Sequence, residues 1–328
     1  MAGNAGQSKS PPPGVVASTG AQFLTPSFLP EAEQNPGTPT PLGGFNISQL
    51  GYALDKSTKD NNYRAIAIHD NVVYYTKGSG GNGINTVYFV DTTGKACPGT
   101  GVGLPASGAQ LPTTPPAFTV QNFGTATKPN NGLVRTNMCI LKGFPTNLAT
   151  STTNFPFGMW FANDHTLYIA DEGSGDNTFA NGQYVNSTAA AQPNAGLEKW
   201  VLSGGSWHLA YTLQNGLGLG EPYTVPGYPT GLNTGPGGTG GPWSPATDGL
   251  RALTGRVDRD GIATIWAVTS TVSGSGDTGA DPDKLVEIAD PVSATTPSPW
   301  ERFWTVRTAK FGQVLRGVSF TPGTDSDR

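Results

Sequence analysis

The sequence predicts an all-β fold: a β-propeller of four-stranded antiparallel blades, either four-bladed or an incomplete ring. Three observations lead there. Three segments of the chain align with one another. Each segment breaks into four short β-branched and aromatic runs joined by Asn, Asp and Gly turns. Helical periodicity is nearly absent, and the stretch that comes closest, "AAAQPNAGLEKW", is short and interrupted by Pro and Gly. A β-sandwich explains the alternation equally well. It does not explain a fourfold strand order recurring with the same turn chemistry.

The first unit opens with "YRAIAIHDNVVYYTKGSGGNGINTVYFVD" (63–91) and closes with "RTNMCILKGF" (135–144). The second is "PFGMWFANDHTLYIADEG" (156–173) continued by "GLEKWVLSGGSWHLAYTL" (196–213). The third is "LRALTGRVDRDGIATIWAVTST" (250–271), then "DKLVEIADPV" (283–292) and "WERFWTVRTA" (300–309). In each, an apolar run meets a polar turn ("HDN", "NDH", "DRDG"), and Asp, Asn and Gly suit such turns because they tolerate left-handed backbone angles. The four runs are strands A to D of a blade, counted from the centre outward. "LRGVSFTPG" (315–323) repeats the opening of a unit and reads as a further strand A. Residues 1–60 form a Pro/Gly-rich segment that could supply the missing strands of that blade, although Pro makes poor ladder members. Otherwise the natural ring has further blades. Blades then occupy 61–323, and 324–328 is a tail.

Composition narrows the function classes. Charged residues are 13% of the 328, against roughly 25% in ordinary domains. Net charge is −4 with no Lys/Arg-rich run, which argues against a nucleic-acid partner. No apolar run approaches the length of a transmembrane helix. The low charge and abundant Thr, Ser and Asn suit an extracytoplasmic (periplasmic or secreted) protein. Cys97 and Cys139 are the two cysteines, and both fall in the first unit. They are either buried thiols or a disulfide stapling a long loop in an oxidising compartment. Asn46-Ile47-Ser48 and Asn186-Ser187-Thr188 fit glycosylation acceptors, a frequency chance alone produces in such a chain.

"PFGMWFANDHTLYIADEG", "GLEKWVLSGGSW", "LRALTG" and the terminal "LRGVSFTPG" resemble the C-terminal portion of secreted bacterial multi-bladed β-propeller proteins, over about residues 60–323. "LYIADEG" is also distantly similar to strands of NHL-type and strictosidine-synthase-like propellers. The resemblance implies an exported propeller and carries over no catalytic residue.

In a propeller, B→C and D→A links share one face. The long links 77–84, 173–195, 272–282, 145–155 and 214–249 are of these two kinds, so insertions collect on one face, where repeat proteins often bind. The exception is 92–134, a C→D link carrying Cys97. The loops hold Phe179, Tyr184, Tyr223, Tyr228 and Trp243, which can stack on sugars or partner side chains, or can pack the loops down. A glycan, a small anionic ligand or a protein is the partner expected there.

Arg64, Arg251 and Arg316 recur at equivalent strand-A positions and would converge near a channel mouth. They would hold a carboxylate or phosphate, or each would satisfy backbone carbonyls or an acid on a neighbouring blade. Asp171, Glu172 and Asp176 in "ADEGSGD" could hold Ca²⁺, although the spacing fits no EF-hand; no other cofactor is implied. Asp258 and Asp260 read as turn residues. His69, His165 and His208 form no cluster, so neither a zinc site nor a catalytic triad is supported. Three G-x-G-x-x-G matches lie in glycine-rich loops without the strand-before, helix-after context of a dinucleotide site. The expected function is an extracytoplasmic binding or scaffold module with a loop-rich ligand face. The alternative is a hydrolase or lyase acting on a carbohydrate, ester or lactone there.

Overall fold

The structure is a computed structural model that describes residues 19–24, 41–46, 63–78, 84–96, 101–111, 119–122, 133–136, 138–147, 153–175, 178–180, 183–185, 192–225, 227, 245–272 and 282–321. Every regular element among them is a strand. The chain divides into two compact units, 1–152 with 205–207, and 153–204 with 208–328.

In the first unit, β1 (Thr19–Leu24) pairs antiparallel with β2 (Pro41–Asn46) as a separate two-stranded sheet. β3 (Tyr63–His69), β4 (Val72–Lys77) and β5 (Thr86–Val90) form an antiparallel sheet. The β3–β4 turn is Asp70-Asn71, with φ of 44° and 58° at the two central residues, as a tight hairpin requires. β4 is buried throughout, which is why its sequence is an almost unbroken apolar run rather than an alternation. β6 (Val102–Gly103), β7 (Thr119–Asn122) and β8 (Leu133–Thr136) all arise inside the long C→D link, and β7 pairs with β8. β9 (Met138–Leu141) is the fourth strand of the main sheet, antiparallel to β5.

Two expectations are corrected here. The fourth strand is shorter than 135–144, because Arg135 and Thr136 belong to the β7–β8 hairpin. The sheet also has five strands, since β6 adds parallel to the outer edge of β9. Ile140 N donates to the Gly101 carbonyl at 2.9 Å and Lys142 N to that of Gly103 at 2.8 Å, so the edge recruits the link instead of facing water.

The second unit contains two complete four-stranded sheets. β10 (Pro156–Asn163) and β11 (Thr166–Asp171) are followed by a small hairpin, β12 (Thr178–Ala180) with β13 (Gln183–Val185). β14 (Gly196–Ser203) and β15 (Ser206–Leu213) complete the order β10-β11-β14-β15. The β14–β15 turn is Gly204-Gly205, with φ of 57° and 74° that side chains rarely adopt. β16 (Ala246–Val257), β17 (Ile262–Val272), β18 (Lys284–Pro291) and β19 (Trp304–Thr308) form the other sheet in that order. Asp258 closes its first turn, its Oδ1 accepting from Asp260 N at 3.0 Å and Ile262 N at 2.9 Å.

The two sheets pack face to face through Tyr168, Ala170 and Leu197 on one side and Leu253, Ile265, Ala267, Val286, Ile288 and Phe303 on the other. Burial of each large side chain contributes roughly 1.5–3 kcal/mol. The first strands of the two sheets, β10 and β16, lie side by side without a ladder between them. Glycine permits the approach: a Cβ at Gly249 would strike the Asp171 carbonyl oxygen, and one at Gly255 would sit 2.7 Å from the Trp160 ring. Antiparallel four-stranded sheets of this kind are consistent with propeller blades.

The expected strand at 315–323 does not form. Residues 309–321 contain no strand, and Pro322 and Gly323 lie outside the described residues. A strand needs a ladder partner for its backbone groups, and no described strand offers it one. Phe320 instead meets the Trp266 ring edge-on, with centroids 5.4 Å apart.

Candidate functional site

Strand direction sorts the links of the second unit. Links 172–195, 214–245 and 273–283 leave one end of its two sheets, whereas 164–165, 204–205, 258–261 and 292–303 leave the other. The long links therefore share one end. At their base four acids, Asp171, Glu172, Glu198 and Asp248, are buried beside the partly buried guanidinium of Arg251.

Asp171 ends β11, where the ladder stops and its backbone neighbours need new partners. Its Oδ2 accepts from Phe155 N at 2.5 Å and its Oδ1 from Gly173 N at 2.9 Å. Asp248, at the start of β16, accepts from Gly175 N at 2.8 Å through Oδ2. These bonds pin the first residues of the 172–195 link to both sheets. Glu172 turns to the opposite face and pairs with Arg251, Nε to Oε2 at 3.1 Å. The Arg251 guanidinium also lies over the Phe157 ring, 4.5 Å from its centroid.

Glu198 faces the same side as Asp171, two positions along the neighbouring strand, since it registers with Ile169. Its Oε2 accepts from Trp200 Nε1 at 2.7 Å, while Oε1 is buried with no hydrogen-bond partner among the described residues. Burial pushes the Asp171 carboxyl up to about 7, and the Glu172 and Asp248 carboxylates push the same way against the two backbone donors. Burial, then the nearby Asp171, also pushes Glu198 well above the usual range, against the Trp200 bond. One cation among four acids leaves the cluster proton-binding near neutral pH.

The arginines predicted as a set have separate settings. Arg251 is neutralised by Glu172. Arg64 lies partly buried on β3 of the first unit. Arg316 is exposed and stands on no strand, a correction to its expected place on an innermost strand. Asp171 and Glu172 are buried and committed to backbone and arginine, and Asp176 lies outside the described residues. Among the described residues no group of three or more His, Cys, Asp or Glu side chains is placed to hold a metal ion.

Of the loop aromatics, Tyr184 sits on β13 opposite Phe179 of β12, and Trp243 and Tyr228 lie outside the described residues. Tyr223 is engaged within the protein. Its hydroxyl donates to the Pro282 carbonyl at 2.5 Å and lies 3.1 Å from Thr271 Oγ1, and Lys284 Nζ stands 3.9 Å from its ring centroid. Burial on this ring pulls the Lys284 amine below its usual range, with Glu221 opposing.

Cys139 is buried on β9 and disulfide-bonded. The other cysteine of the chain, Cys97, lies outside the described residues. The segment leading to it is held by Asp91, which accepts from Thr93 N at 2.9 Å, Gly94 N at 3.0 Å and Ala96 N at 2.9 Å.

Sequence reasoning missed a second buried network. Lys199 Nζ pairs with Asp290 Oδ2 at 2.8 Å and donates to Tyr211 OH at 3.0 Å and the Pro291 carbonyl at 2.6 Å. Tyr211 OH donates to Asp290 Oδ1 at 2.5 Å, and Tyr168 OH donates to Oδ2. The readable signal was "LEKW": two charges inside a strand flanked by apolar residues, where burial demands partners. No protein-family model, curated protein or solved structure matches the chain.

Proposed function

We propose that the chain is part of an extracytoplasmic β-propeller, akin to the secreted bacterial multi-bladed proteins its sequence resembles, and that it binds a ligand at its loop-rich end. The observation that carries this reading is the gathering of links 172–195, 214–245 and 273–283 at one end of a packed pair of sheets. Loops with function need a rigid base, and Asp171, Asp248 and the Glu172–Arg251 pair supply one. The charge cluster is closed to solvent, so recognition falls to the loops above it. Glycans fit the aromatic, Asn- and Thr-rich composition of those loops.

A glycan array run beside a panel of small esters and lactones tests this. Binding that is lost when 228–242 is replaced by a short Gly-Ser linker, with the melting temperature kept, is the expected result. Turnover of an ester or lactone without a separable binding step would instead point to a hydrolase or lyase. Binding that survives the linker would sink the loop-rich end as the site.

A further inference from the structure

The outer strand of the last sheet is unlike an ordinary protected edge. Trp300 is 87% exposed, Trp304 62% and Val306 55%. Edge strands usually avoid such residues, because an apolar edge invites aggregation, and carry charge or Pro instead. This edge carries both. Arg302, Arg307 and Lys310 are exposed along the same stretch, and Arg316 follows. The Arg302 guanidinium stacks 4.7 Å from the Trp304 ring centroid, so cation and aromatic face solvent as one surface.

Charge sets this stretch apart from the remainder of the protein. Residues 300–316 hold four cations and one acid, Glu301, a net of 4 − 1 = +3. The whole chain is −4, so the remainder sums to −4 − 3 = −7. A positive, tryptophan-bearing strip on an acidic protein is complementary to an anionic surface that is apolar beneath. Tryptophan favours the headgroup region of a bilayer, where its ring is buried and its N–H stays wet. Arginine and lysine beside it are drawn to anionic headgroups. An acidic glycan would satisfy the cations and offer the tryptophans a sugar face, but leave Val306 in water.

We infer that the strip formed by Trp300, Trp304, Val306 and the flanking Arg302, Arg307 and Lys310 docks the protein onto an anionic lipid surface. The contact is peripheral: side chains enter the interface and no segment spans it.

The test is flotation of the full chain with vesicles of phosphatidylcholine alone and of phosphatidylcholine with phosphatidylglycerol. Binding to the anionic vesicles only is expected, weakening as salt rises. W300S/W304S should lower it by at least about tenfold, with the melting curve unchanged because both side chains are exposed. R302S/R307S should lower it by about tenfold or more and flatten the salt dependence. Bromine-labelled lipid tails should quench the fluorescence of the unaltered chain more than that of W300S/W304S. The proposal is overturned by equal binding to neutral vesicles, by no binding to anionic vesicles at low salt, or by binding that both variants retain. It is equally overturned if heparin or alginate competes the protein off the vesicles while binding W300S/W304S undiminished. Concentration-dependent dimerisation abolished by W300S/W304S, without vesicle binding, would assign the strip to a second copy of the chain.

Discussion

Lys199 and Asp290 form an ion pair 2.8 Å apart in which neither side chain reaches solvent, and they belong to different sheets. Tyr168 and Tyr211 complete the coordination of the carboxylate, so every strong donor and acceptor of the pair is met. Burial and the bonds to Asp290 push both phenols above their usual range, which keeps them protonated as donors.

Removing one partner is therefore far worse than removing both. K199M leaves Asp290 buried without its cation and should cost about 3–5 kcal/mol. K199M/D290L, which replaces both charges by apolar groups, should recover a large part of that loss. Urea unfolding of the four members of the cycle checks this. A double variant whose loss equals the sum of the two single losses would mean the pair is not coupled.

The buried carboxyls make stability fall as pH rises. Asp171 has a folded pKa of about 7, against about 3.9 in an unfolded chain. Below about pH 4 both states hold the proton and the contribution is present in full. Between about 4 and 7 the unfolded chain releases its proton first, so stability declines, and the loss is complete above the folded value. Glu198 acts in the same direction. D171N should be less stable at pH 5, having lost an acceptor for a backbone N–H, yet show a flatter decline from pH 5 to 8. Urea midpoints across that range give the comparison. Parallel curves for the two proteins would remove Asp171 from the account.

Gly249 is fixed by contact rather than by backbone angle. G249A would drive a methyl group into the Asp171–Glu172 backbone, which has no rotamer with which to yield. A destabilisation of about 1–3 kcal/mol is expected from the overpacking, read as a lowered melting temperature. G261A, with nothing within 4 Å but φ of 78°, should cost less and for a conformational reason alone.

Cys139 has one cysteine available to it in the chain, Cys97. Non-reducing proteolysis and mass spectrometry should yield a single cross-linked peptide containing both, and thiol titration of the unfolded, unreduced protein should find none free. Reduction should lower stability by about 2–4 kcal/mol. Free thiols in protein exported to the periplasm would refute the link.

The strand order was legible because it rests on local chemistry. "HDN" and "DRDG" mark turns wherever they occur, and "VVYYT" and "TIWAV" suit a pleated, buried surface. The parallel addition of β6 was not legible, since Val102–Gly103 carries no pattern and joins only because β9 has an open edge. "LRGVSF" matches "LRALTG" in sequence but is no strand here, because pairing is decided by a neighbour and not by the string. The acids were legible as residues and misjudged as surroundings. Asp171 and Glu172 read as candidate Ca²⁺ ligands in a loop, yet they are buried, one ending a strand and the other directly after it. Lys199 and Asp290 lie 91 positions apart, and nothing local in either segment announces the other.

That separation has a consequence for how the protein is made. Lys199 leaves the ribosome well before Asp290 exists, so for that interval the second sheet carries an ammonium group with no acid to receive it. The sheet can close over Lys199 only once the third has been synthesised, and the two should fold as one event with the lysine as its checkpoint.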